Sequence, residues 1–419
     1  MCQNLSVKQW ILIGALIRFV VAPITMHPDI FFIYKYPHLL SHGQWNIYEI
    51  AEKNFNTDYY PAITLFVFGI FDFIFGTLFS SYETFAHSLS TTRTSILINS
   101  KSIFSNLLML KTPYFIFEAA IFIIGWKMTS DSDTKKKFAF LMATNPLIIY
   151  CSYMFGQFDL LPACFMFLAG YFALQKDREH FGSLALACGF MTKIFPIIFF
   201  PFFILVASKN IKNACKLTIY FLVPILFFYT ILYSQNGNSL FFTFKMFSYN
   251  LTTGESIQNL LLRFFQATVY AIISWHAFFI GRKDMSYTLL VKYFLAIYMA
   301  AYWGLSVHST HYLIWHIPFF ILLASFLPQW GKRMYILLAI VFLGGLRDRS
   351  SFIGLFAPLN PEFFLSFPSL KDITGFLFNQ LFYDHTLNFA FKSYASLIIY
   401  WIFKDLFSKK NDPIPNLQN

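Results

Sequence analysis

"QKDREHFGSLALACGFMTKIFPIIFFPFFILVASKNIKNACK", residues 175–216, begins and ends in basic clusters and holds between them an apolar run interrupted at "MTKIFP", residues 191–196. Lys and Arg in short loops accumulate on the cytoplasmic side of a membrane. Both ends therefore read as cytoplasmic, and the interruption reads as the outer turn between two apolar helices centred near residues 187 and 202. Lys193 lies at that turn, inside an apolar run and far from either basic cluster.

The same pattern extends over the chain. Of 419 residues, 57% are hydrophobic and 12% charged, and 57 are phenylalanine. That much apolar surface is satisfied in hydrocarbon, provided the backbone closes its own hydrogen bonds in helices. The expected fold is all-α, a polytopic transmembrane helical bundle. The net charge of +11 is dispersed in short clusters between apolar runs, which is an orientation signal and not a nucleic-acid surface. Lys8, Lys127 with Lys135 to Lys137, "QKDRE", "SKNIKNACK", "GRKD", "GKR" and "FKDLFSKK" mark the cytoplasmic side. About twelve spans of roughly 20 residues fit. Their centres fall near residues 17, 117, 146, 168, 187, 202, 225, 271, 297, 319, 340 and 396, with both termini cytoplasmic.

The apolar stretch 61–79 is long enough to span, but counting it reverses every later basic cluster. Its Asp72 also lies mid-run, where a full span would bury it. The stretch is therefore expected along the outer interface, and residues 27–105 form one long external segment. The chain reads as a single integral membrane domain, 1–419, with residues 9–210 as its core and 211–419 as variable C-terminal helices. The five cysteines offer neither a disulfide framework nor a metal-ligand spacing. The first hydrophobic run lacks a small-residue cleavage site and reads as a retained helix.

Four polar clusters then fall on the outer face: "HPD" at 27–29, "MFGQFDLLP" at 154–162, "MTKIFP", and "VHSTHYLIWHIP" at 307–318. Ionisable groups at membrane depth are costly and face a cavity or one another. Asp29 is a candidate general base, with a helix N-cap as the alternative. Gln157 and Asp159 either line the outer vestibule or cap the following helix, near whose first turn Pro162 sits. Lys193 either binds a lipid-linked phosphate or snorkels to the headgroups. His308 and His311 share one helical face and can donate to phosphate or sugar oxygens. His308, His311 and His316 have no carboxylate or cysteine at ligand spacing, so no metal site is assigned to them. Arg347 and Arg349 are further outer cations, which Asp348 between them can neutralise.

In order and context these residues resemble the GT-C glycosyltransferases, multispanning enzymes that use polyprenyl-phosphate sugars. The likeness starts with the acid just outside the first helix, Asp29, and "DYYPAITLF" at 58–66. It continues through Lys111 with Pro113, "NPLIIYCSYMFGQFDLLP", "GSLALACGFMTKIFPIIFFP" and "HSTHYLIWHIPF", covering about residues 9–320. It is nearest the mannosyltransferases of bacterial glycolipid and glycosylphosphatidylinositol assembly, and looser to dolichyl-phosphate-glucose glucosyltransferases. The resemblance implies an extracytoplasmic active site, interfacial helices in the first external segment, and inverting transfer with Asp29 as base. It also implies that Lys193, His308 and His311 surround the donor phosphate, and Arg347, an outer cation beyond the span of the likeness, is a further phosphate-binding candidate. Gln157, Asp159, Tyr60 and Tyr312 are substrate-pocket candidates. The family's first-loop signature has two acids one residue apart, whereas His27 stands in the earlier position here. His27 is therefore a candidate partner of Asp29, and a divalent cation is left open.

The expected function is transfer of a hexose, mannose ahead of glucose, from a polyprenyl-phosphate sugar to a lipid-linked or other extracytoplasmic glycan acceptor, among membrane lipids and without nucleic acid. No nucleotide pocket is needed, and no Gly-rich phosphate loop is present. A transporter would show paired halves, and residues 1–210 and 211–419 show no pairing. A lipid-linked glycan polymerase or ligase would favour an Arg-rich late external loop. Residues 347–385 have the length, but their Arg is confined to the start.

Overall fold

The computed structural model describes residues 5–48, 60–89, 97–233, 257–280, 284–304, 310–334, 351–369 and 380–408, with isolated positions 50, 336, 372 and 373. Every regular element among them is helical. In chain order the helices are α1 (Val7–Ile24), α2 (Asp29–Ser41), α3 (Ala62–Leu78), α4 (Ser80–Leu89), α5 (Ile103–Met128), α6 (Ser132–Ala143), α7 (Leu160–Ala173) and α8 (Glu179–Phe190). They continue as α9 (Phe200–Ala207), α10 (Ile211–Tyr233), α11 (Ile257–Ile280), α12 (Tyr287–Trp303), α13 (Ile317–Phe326), α14 (Pro361–Ser366) and α15 (Gln380–Phe407).

Three stretches among the described residues are long and apolar enough to cross a membrane: Val7–Ile24, Ile103–Met128 and Ile211–Phe228. Their surfaces agree with that role. On α1 the side chains of Leu12, Leu16, Phe19 and Val20 are exposed and apolar, while Arg18 is buried. The expectation of about twelve spans meets shorter helices in several places, where proline and polar breaks cut the apolar runs. Around residue 146 the expected span is cut into α6, a single turn Pro146–Ile148 capped by the Asn145 side chain, and a wide π-helical segment Ile149–Met154. Around residue 202 it is a 3-10 turn, Phe195–Phe199, leading into α9. The centre at 340 lies outside the described residues.

α3 covers the contested stretch 61–79 and packs along α2. Asp72 is fully buried there, but against protein. Its carboxylate accepts hydrogen bonds from Ser41 (2.6 Å) and Tyr82 (3.0 Å) and faces His38 Nδ1 (2.9 Å). A mid-run acid is therefore no argument against burying this stretch, since its partners come from α2 and α4. Ile70, Phe73, Ile74 and Leu78 form the exposed apolar side of the same helix.

Two buried cations hold α1 in place. Arg18 forms a two-pronged ion pair with Glu118 of α5, 2.6 Å on each prong, and also donates to the carbonyls of Met142 and Ala143 at the end of α6. Tyr153 donates to the same Glu118 carboxylate at 2.7 Å. Lys111 of α5 donates to the carbonyls of Ala22 (2.8 Å), Tyr153 (2.6 Å) and Thr25. Cations suit the carbonyl-rich ends of helices. Here they tie the end of α1, just before His27, to the π-helical segment that leads into Gln157 and Asp159.

Candidate active site

The site lies where α1 and the π-helical segment end together. His27 N–H donates to the Phe155 carbonyl at 3.2 Å, and the His27 ring stacks on Phe155 at 3.8 Å between centroids. Wide π turns recur at functional sites because they re-aim the backbone. In this one the Phe155 N–H reaches back to Tyr150 and the Gln157 N–H to Cys151. Gly156 makes the turn with φ +85°, and its carbonyl accepts from the Tyr114 hydroxyl at 2.7 Å. A Cβ there would approach Ile30 Cδ1 to 2.9 Å. Gly156→Ala is accordingly expected to cost about 1–3 kcal/mol in thermal unfolding. An unchanged melting temperature would show that the turn relaxes freely.

Asp29 opens α2 without capping it. The N-cap position is Pro28 and no side-chain cap bond forms. Instead the carboxylate turns to Gln157, whose Nε2 donates to Oδ2 at 2.6 Å, and to His27, whose Nδ1 lies 3.2 Å from Oδ1. The Asp29 side chain remains 36% exposed. Burial pushes its carboxyl up. The hydrogen bond and charge of His27, the charge of His311 and the bond from Gln157 outweigh that and hold it below the usual carboxylate value. Asp29 is thus ionised at neutral pH.

Asp159 does not cap its helix either, although it holds the N-cap position of α7. It is fully buried, and Oδ1 accepts from Lys193 Nζ at 2.6 Å and from Trp315 Nε1. Its other oxygen, Oδ2, has no hydrogen-bond partner. Lys193, with its side chain 16% exposed, turns inward and not to the headgroups. Its ammonium lies 4.7 Å from the centre of the Phe158 ring, 5.3 Å from that of Trp315 and 5.5 Å from that of Tyr312. The lysine at the opening stretch is therefore an ion-pair partner inside an aromatic box. Its elbow is fixed from α3, where Ile63 N–H donates to the Met191 carbonyl and Thr64 Oγ1 to that of Thr192.

His311 joins the two halves. Its ring is 5.7 Å from Phe155 and 4.5 Å from Tyr312. Burial pushes it down to about 4 against the pull of Asp159 and Asp29, so it is neutral at physiological pH. Tyr60 packs edge-on to Phe158 at 4.6 Å. Residues from all four predicted clusters thus meet in one place. His308 and Arg347 lie outside the described residues. His316 is buried one step deeper, stacked on Tyr298, with Nε2 3.3 Å from the Tyr394 hydroxyl.

The late segment also reaches this site. The Leu355 carbonyl accepts from Met26 N–H at 2.8 Å, and the Ser351 carbonyl from the Tyr150 hydroxyl. Compared with protein-family models, curated proteins and solved structures, the chain matches none.

Proposed function

We propose that the chain is a membrane glycosyltransferase moving a hexose, mannose ahead of glucose, from a polyprenyl-phosphate donor to a lipid-linked or glycan acceptor with inversion. The observation that carries this reading is the Asp29 carboxylate. It is ionised, partly exposed, free of any capping duty, and aimed by Gln157 and His27 at the end of a helix able to span the membrane.

In this reading Asp29 takes the proton of the acceptor hydroxyl while that oxygen attacks the anomeric carbon from the face opposite the phosphate. The bond from the anomeric carbon to the phosphate oxygen breaks, and its electron pair leaves with the phosphate. Lys193 has three ammonium donors, of which Asp159 takes one, so it retains donors for the departing charge. Neutral His311 and the hydroxyls of Tyr60 and Tyr312 complete a polar rim with aromatic walls.

A polyprenyl-phosphate sugar presents its reactive carbon on one face of the membrane, so the reading fixes the side of the site. Ser132→Cys, at the exposed start of α6, and Ser81→Cys, at an exposed position of α4, are to be made on a cysteine-free background. An impermeant thiol reagent applied outside intact cells is expected to label the second and spare the first. Labelling of Ser132→Cys alone would place the site on the cytoplasmic face and remove the proposed donor.

A further inference from the structure

We infer that α2, α3 and α4 build a binding site for one divalent transition ion, of which zinc fits best, with His38, His42 and Glu83 as ligands. This inference stands apart from the transfer reading, because none of these residues takes part in it.

Two observations carry it. One ligating atom from each of the three side chains lies within 4.8 Å of the others. Tetrahedral zinc places its ligand atoms about 3.4 Å apart, within the reach this spacing allows. The residues arise from i, i+4 spacing: His38 and His42 lie one turn apart at the end of α2, and Glu83 and His87 one turn apart on α4. The rings of His38 and His42 are 4.3 Å apart, and those of His38 and His87 6.0 Å apart. Three protein ligands leave a fourth position for water or for His87.

The second observation is the orientation of both imidazoles. A metal-bound histidine almost always donates its other ring N–H to a carboxylate or a backbone carbonyl. His38 Nδ1 faces the buried Asp72 carboxylate at 2.9 Å, and His42 Nδ1 faces the His38 carbonyl at 2.9 Å. Neither of these oxygens has a proton to give, which suits Nδ1 as the donor in each ring; Ser41 Oγ, 3.1 Å from His42 Nδ1, is also engaged with Asp72 (2.6 Å) and the His38 carbonyl (2.8 Å). In the neutral rings Nε2 then carries the lone pair. Yet His42 Nε2 lies 2.8 Å from Glu83 Oε1, lone pair against carboxylate. Nε2 of His42 and Oε1 of Glu83 thus present two lone pairs toward one point, the arrangement of two ligands of one metal ion. The chain also leaves room for the carboxylate: a Cβ on Gly76 of α3 would come within 2.2 Å of Glu83 Oε2.

The test is zinc binding by the full-length protein, purified in detergent, stripped with chelator and titrated with Zn²⁺ alone by calorimetry. One equivalent per chain is expected, with stoichiometric binding lost in His42→Ala and in Glu83→Gln. Asp72→Asn, which keeps its size but weakens the hold on His38, is expected to bind about 10- to 100-fold more weakly. If His42→Ala fails to fold, Glu83→Gln, nearly isosteric and partly exposed, carries the test. Absence of zinc uptake by the wild type would overturn the proposal. Wild-type affinity in Glu83→Gln would overturn it equally.

Discussion

Asp29→Asn is expected to leave the protein folded and donor-binding while slowing transfer on the order of 10²-fold or more, because an amide cannot accept the acceptor's proton. The structure sharpens this expectation. No helix cap is lost, since Asp29 makes none, and the asparagine oxygen can still accept from Gln157 Nε2. A change in melting temperature is therefore a poor explanation for lost turnover. The pH dependence follows from the lowered carboxyl. Its ionised form, and the stability contributed by its bonds to His27 and Gln157, are present above the ordinary carboxylate value. Both are lost only as pH falls through the depressed value. Wild-type kcat/KM is accordingly expected to show no acid limb from Asp29 between pH 6 and 8. Near-wild-type turnover by the asparagine variant would move the base to another group, with Asp159 the next carboxylate to examine.

Replacing Lys193 is expected to do two separable things. Lys193→Ala leaves the fully buried Asp159 carboxylate without its cation, which costs about 3–5 kcal/mol of stability. Pairing Lys193→Met with Asp159→Asn removes both charges, and the asparagine oxygen can still accept from Trp315 Nε1. The double variant is expected to regain most of the thermal stability. Its donor KM should nevertheless remain raised about 10- to 100-fold, the worth of a hydrogen bond to a charged group. Recovery of donor KM together with stability would confine Lys193 to a structural ion pair. The two substitutions touch each other, so their effects are not additive and the double variant must be measured directly.

What the sequence made legible was local. The all-helical fold followed from composition, and the elbow at Lys193 from an interruption between two apolar runs. The convergence of four polar clusters followed from their shared position at helix ends. Pairings across the chain were not legible. Arg18 and Glu118 are 100 residues apart, and Lys193 and Asp159 are 34 apart, so only packing brings each pair together. For the same reason the N-cap alternatives for Asp29 and Asp159 looked strong. Both stand at helix starts, yet tertiary partners claim both carboxylates. The burial of Asp72 counts against a span in the sequence for the same reason, whereas partners on α2 and α4 satisfy the buried carboxylate. The i, i+4 pairs His38 with His42 and Glu83 with His87 were readable in the sequence. That the two pairs meet depends on the packing of α4 against α2, which no local pattern shows.

The central claim is chemical, and donor transfer tests it most directly. Wild-type protein and Asp29→Asn are to be reconstituted in liposomes with a membrane lipid extract as acceptor. Radiolabelled polyprenyl-phosphate mannose and polyprenyl-phosphate glucose are then supplied separately. The account predicts time-dependent transfer of label from the mannose donor by wild type, with the rate in Asp29→Asn reduced on the order of 10²-fold or more. Folded wild-type protein that moves neither sugar would contradict it.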